Sequence, residues 1–113
     1  MEILVSTEWL ADHLDNTGLV VLDATAHLPD AGRDPEAEFF ESHIAGARYL
    51  NLPALKDASS PLPATLPTAD HFNARMRDLG IEAESNVILY DNSMLRSAAR
   101  AFFIFKIFGF ENV

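Results

Sequence analysis

The sequence predicts an α/β domain built on a parallel sheet, and three observations carry that prediction. Leu19 to Leu22 and Val87 to Tyr90 are continuous apolar runs of strand length, as expected for strands covered on both faces. Each is followed at once by an aspartate, Asp23 or Asp91, at the carboxyl end where open parallel sheets hold their ligands. Segments with apolar residues at helical spacing alternate with these runs, so right-handed crossovers are expected. A chain of 113 residues accommodates one such domain with its own core and is short for two.

Taken in order, Ile3 to Val5 reads as a short strand, and Ser6 or Thr7 caps a helix carrying Trp9, Leu10, His13 and Leu14. Asn16-Thr17-Gly18 is turn chemistry leading into the first apolar run. From Leu28 to Ser42 the chain is polar, broken by Pro29, Gly32 and Pro35, and is expected to form a crevice-side loop with at most a short helical turn from Ala37 to Ser42. Ala47 to Asn51 predicts a third strand, reached through a turn at Gly46, and the proline-rich Pro53 to Pro67 predicts an irregular surface excursion. Thr68 caps a helix over Ala69 to Leu79, with Phe72 and Met76 on its apolar stripe and Gly80 as its stop. The last helix starts near Ser97 and is apolar nearly all round to Phe108, which requires cover on two faces before Gly109 ends it. Glu111-Asn112-Val113 reads as the approach to a further strand.

Composition narrows function. Apolar residues make up 49% and charged residues 22%, which is a globular balance. A formal net charge of -9 repels phosphate backbones and anionic headgroups, so neither nucleic acid nor membrane is expected as a partner. The chain has no cysteine, which excludes disulfides, thiolate metal sites and thiol nucleophiles within it. The acidic N-terminus lacks signal-peptide character, and Ala101 to Phe110 is far shorter than a bilayer span, so a cytoplasmic protein is expected.

Three polar constellations are candidates for chemistry. A carboxylate at the end of a strand, such as Asp91, suits phosphoryl transfer, but Ser93 stands where a second acid is needed and Thr25 does the same after Asp23. The simpler reading is a hydrogen-bonded turn or helix-entry residue. Arg33-Asp34 with His43 could supply an anion clamp and a general base, or a structural clasp. Arg96 and Arg100 flank Ser97-Ala98-Ala99, where they could meet an anion at the helix start or tie the helix to Asp91 or Asp23. His13, His27 and His71 show no metal-ligand spacing, and no Gly-x-Ser-x-Gly elbow is present. No metal or cofactor is expected.

Several pieces then combine. Val5 to Leu10, Val20-Val21-Leu22-Asp23-Ala24, Gly32-Arg33-Asp34, Glu38-Phe39, His43-Ile44-Ala45-Gly46-Ala47, Ser60-Pro61-Leu62-Pro63, Leu79-Gly80-Ile81, Val87 to Asp91, Ser97-Ala98-Ala99-Arg100 and Phe108-Gly109 occur in order along nearly the whole chain. Together they resemble the N-terminal domain of two-domain rhodanese-type sulfurtransferases, above all the 3-mercaptopyruvate branch. The resemblance implies a three-layer fold, a parallel sheet flanked by helices, spanning 1–113 and truncated before its last strand.

It also implies that Asp91 occupies the position of the cysteine in active domains, so that the loop with Asp91, Arg96 and Arg100 is structural and no catalytic residue lies in this chain. The implied partner is a C-terminal catalytic domain of the same polypeptide. Sulfane sulfur would pass from 3-mercaptopyruvate, or from thiosulfate, to a thiol or cyanide acceptor, with Arg33, Asp34 and His43 as accessory residues beside a small anionic donor in the interdomain cleft. A stand-alone inactive module for binding or regulation is the alternative. Ala45 replaces a usual proline of the family, and Phe102-Phe103 replace usual tryptophans.

Overall fold

The computed structural model describes residues 4–28, 31–57, 59, 65–93 and 96–113. Among them are three parallel strands, β1 (Leu19–Asp23), β2 (Arg48–Tyr49) and β3 (Asn86–Tyr90), in the order β2-β1-β3. Four α-helices accompany them: α1 (Thr7–His13), α2 (Pro35–Glu41), α3 (Ala69–Asp78) and α4 (Ser97–Ile107), with a 3-10 turn at Leu52–Ala54. β1 is central, with Val20 opposite Val87 and Asp23 opposite Tyr90.

Side chains of a strand alternate between faces, and the two cores follow that alternation. Val20, Leu22 and Val87 join Phe72 and Met76 of α3 and Ala101, Ile104 and Phe105 of α4. Val21 and Ile88 point the other way, to Leu10, Trp9 and Leu14 on and beside α1. The result is three layers. Phe72 is the hub of the larger core: its ring lies 4.5 Å from Phe108, 5.3 Å from Phe105 and 6.0 Å from Phe110, centroid to centroid.

Local chemistry sets the boundaries. Ser6 accepts the Trp9 N–H at 3.0 Å to open α1, and Thr68 accepts the His71 N–H at 3.1 Å to open α3. α3 and α4 end in the same motif: Ile81 N–H bonds to the Met76 carbonyl and Gly80 N–H to that of Arg77, while Phe110 and Gly109 repeat the pattern on Phe105 and Lys106. The motif needs a left-handed residue, and Gly80 has φ 74°. A Cβ at Gly80 would come within 2.7 Å of Arg48 Nη1, the atom that donates to the Leu79 carbonyl. Gly80→Ala is therefore expected to cost about 1–2 kcal/mol, mostly through the left-handed backbone, in a urea titration.

Some sequence expectations need correction. Among the described residues no strand forms at the start, since Leu4 lies in a bend, 84% exposed, and Val5 packs on the smaller core as irregular chain; Ile3 lies outside the described residues. The segment before Ser42 is more ordered than a loop: α2 begins at Pro35, because proline fits the first helical position when Asp34 caps it. β2 is two residues long, its pairing extended only by the Leu50 N–H to the Asp23 carbonyl at 2.9 Å before the 3-10 turn diverts the chain. Ser60 to Pro63 lie outside the described residues.

α4 buries Ala101, Ile104 and Phe105, while Phe103 and Ile107 remain about half exposed. The free edge of β3 is partly engaged, because the Asn112 carbonyl accepts the Val87 N–H at 2.8 Å and Val113 is buried. An apolar groove of about 370 Å³ runs along the rest of that edge between Leu4-Val5 and Phe102. Among the described residues, no helix is long and apolar enough to cross a membrane.

Candidate functional site

The carboxyl ends of β1 and β3 open onto a polar crevice of about 530 Å³, lined among others by Asp23, Arg33, Glu38, His43, Tyr90 and Asn92. Hydrogen bonds stitch the two strand-end loops together. Buried Asp23 accepts the Thr25 N–H at 2.9 Å, Thr25 Oγ1 accepts the Asn92 N–H at 2.9 Å, and Ser97 Oγ accepts the Ala26 N–H at 2.9 Å. Tyr90 Oη accepts the Ile44 N–H at 3.3 Å. Burial pushes the Tyr90 phenol above its ordinary range, with the Asp23 carboxylate adding to the shift against the Ile44 bond. Burial likewise raises Tyr49, reinforced by Glu36, Asp23 and Asp34.

Asp91, at the end of β3, turns back into its own loop. Oδ1 accepts the Ser93 N–H at 3.2 Å and Oδ2 accepts the Ala98 N–H at 2.7 Å, so the carboxylate caps α4 from across the loop. That assistance matters because the residue at the cap position, Arg96, is left-handed (φ 52°) and offers no side-chain cap. Arg96 is exposed and Arg100 half-buried on the first turns of the helix.

The structure divides the Arg33, Asp34 and His43 group. Arg33 and His43 both line the crevice, while Asp34 accepts the Glu36 and Ala37 N–H groups at 3.1 and 3.2 Å as the cap of α2. The His43 ring lies tilted against Phe39, 4.1 Å between centroids, and its Nδ1 lies 2.7 Å from the Phe39 carbonyl. A carbonyl only accepts, so Nδ1 carries the proton and Nε2 is left for a ligand. The carboxylate that meets Arg33 is Glu38, through Nε to Oε2 at 2.8 Å and Nη2 to Oε1 at 3.1 Å. His27 Nε2 sits 2.9 Å from the same Oε1, its side chain only 5% exposed. Sequence reasoning gave His27 and Glu38 no role. Arg33 and Glu38 are linked only through the folded turn at Asp34-Pro35, and His27 carries no periodic signal.

Glu38 is held below its ordinary value of 4.5, first by its bond to Arg33 and then by His27. A carboxyl depressed in the folded state stabilises above its unfolded value and loses that contribution as pH falls through the folded one. The thermal midpoint of the protein is therefore expected to fall more steeply than that of Glu38→Gln below about pH 4.5. Parallel melting curves for the two proteins would remove the clasp from the acid response.

Comparison with known proteins now adds to the geometry. Residues 6–113 match the family model described as a rhodanese-like domain.

The chain belongs to the rhodanese-like family.

This rhodanese-like domain is 37% identical over 110 residues to the 3-mercaptopyruvate sulfurtransferase of Escherichia coli K12, covering 96% of the chain and 39% of that protein. It is 39% identical over 116 residues to the Homo sapiens enzyme of the same name, covering 97% of the chain and 39% of the relative. The solved structure of SseA from Escherichia coli, a 3-mercaptopyruvate sulfotransferase with a rhodanese fold, superposes with a TM-score of 0.91 at 36% identity, over 100% of this chain and 44% of that one. A sulfur transferase subunit of yeast mitochondrial complex I gives 0.88 at 30% identity, over 97% of this chain and 37% of that one. The rhodanese-like domain thus spans about two fifths of the length of these relatives.

Proposed function

We propose that this chain is the N-terminal, non-catalytic part of a tandem-domain sulfurtransferase that takes sulfane sulfur from 3-mercaptopyruvate, or from thiosulfate, and passes it to a thiol or cyanide acceptor. The observation that carries the reading is one of coverage. The chain matches 96% of its own length to only 39% of a relative named for that activity, and it contains no cysteine. Sulfur transfer through a persulfide needs a thiolate, so the nucleophile belongs on a second domain. Asp91 supports the same division of labour, since its carboxylate already fills hydrogen bonds of the strand-end loop.

In this reading the domain supplies one wall of the interdomain cleft, with Arg33 and His43 facing a small anionic donor and Asp34 shaping α2. The cytoplasm is the proposed compartment. The test is to express the whole reading frame that contains residues 1–113 and assay pyruvate release from 3-mercaptopyruvate with a thiol acceptor. Activity that disappears when a strand-end cysteine of the second domain is changed to serine is the expected result. A reading frame with no second domain would overturn the proposal and favour a binding or regulatory module.

A further inference from the structure

We propose that Thr25 and Ser97 form a reciprocal latch, so that the loops leaving β1 and β3 open only together and the wall of the crevice is a single two-state element. The inference is independent of the sulfurtransferase reading. Among the described residues the buried polar side chains are Asp23, Thr25, Ser85 and Ser97. Asp23 and Ser85 serve their own turns, taking the Thr25 and Glu82 N–H groups. Thr25 and Ser97, 3% and 5% exposed, instead accept from segments distant in sequence, and the two contacts cross. Thr25, after β1, takes the Asn92 N–H from the loop after β3; Ser97, which begins α4, takes the Ala26 N–H from the loop after β1.

These contacts close a ring. Thr25 is joined to Ala26 by one peptide unit, and Ala26 N–H donates to Ser97 Oγ at 2.9 Å. Ser97 Oγ lies 3.2 Å from Ser93 Oγ, which also accepts the Ser97 N–H at 3.4 Å. Ser93 is joined to Asn92 by one peptide unit, and Asn92 N–H returns to Thr25 Oγ1 at 2.9 Å. Peptide units are planar and stiff, so a break at one crossing contact displaces the partner of the other. A half-open ring would also leave a buried hydroxyl or N–H without a partner, which costs more than the bond itself contributes. Both contacts shut or both open are the states that remain. Thr25 and Asn92 line the crevice, and Asp91 caps α4 at Ala98 beside Ser97, so the ring ties the crevice wall to the first turn of α4.

The test is amide hydrogen exchange read by NMR, with Leu22, fully buried at the centre of the sheet, reporting global unfolding. In the unaltered protein Ala26 and Asn92 should share one opening equilibrium to within about threefold, and one urea dependence, both more easily opened than Leu22. Thr25→Val removes the acceptor of Asn92 alone, yet it should speed exchange at Ala26 as well, each by about tenfold relative to Leu22. Ser97→Ala should do the same to Asn92. Thr25→Ser keeps the hydroxyl and should return both amides to within about threefold of the parent. Two independent contacts give the opposite pattern, Thr25→Val speeding only Asn92 and Ser97→Ala only Ala26, and that result overturns the latch. So does a difference above about tenfold between the two opening equilibria in the unaltered protein, a measurement that decides even if a variant fails to fold. Exchange of both amides at the opening equilibrium of Leu22 would mean that the loops open only with the whole domain, and it overturns the separate two-state element.

Discussion

Replacing Phe72 by alanine is expected to lower the unfolding free energy by about 3–5 kcal/mol, a large share of the 5–15 kcal/mol typical of a domain. Phe72 is 1% exposed and contacts three other aromatic rings, with Phe105 and Phe110 meeting it edge-on and Phe108 stacked. The loss combines transfer of a large side chain to water with a cavity that rigid neighbours fill poorly. Phe72→Leu should cost less, about 1–2 kcal/mol, because most of the volume remains. Urea titration of both variants checks this. A Phe72→Ala loss below about 1 kcal/mol would mean that α3 and α4 do not share one packed core.

Removal of the Asp91 carboxylate is the second large effect. Asp91→Ala leaves the Ser93 and Ala98 N–H groups without their acceptor and deprives α4 of its cap, for an expected loss of about 2–3 kcal/mol. Asp91→Asn keeps one carbonyl oxygen and should lose about 1 kcal/mol. Amide exchange at Ala98 should accelerate with the alanine variant before global unfolding does. Unchanged exchange there, with a stability change within about 0.5 kcal/mol, would show that the loop holds its shape without the carboxylate.

The parts of this fold that sequence reveals are those where one local signal decides. Leu19 to Leu22 and Val87 to Tyr90 are apolar without interruption because both faces are covered, and Gly80 and Gly109 stop helices that no other residue ends as easily. Pro35 misleads when read as a breaker, since its effect reverses once Asp34 caps the helix it begins. The two residues of β2 are too few to carry alternation.

The crevice is legible in part for the same reason. Arg33 and His43 can be singled out as residue types, but Asp34 was the natural acid to group with them, and only the folded turn gives that carboxylate to a helix cap and Glu38 to the arginine. His27 reaches Glu38 across a segment that contains no repeat or spacing rule, so its part in the site is a property of tertiary structure alone.

The central pairing of the sheet joins Val20 to Val87, positions more than half the length of the 113-residue chain apart. Closing so long a loop costs about 4 kcal/mol of chain entropy before any contact compensates. During synthesis β1 therefore leaves the ribosome with its main partner still untranslated, and its apolar face waits for α3, β3 and α4 to follow. Folding of this domain is consequently expected to be slow relative to its size. Local motifs, the serine and threonine caps of α1 and α3 and the glycine stop of α3, are what can hold fragments of native structure in readiness until residue 90 is made.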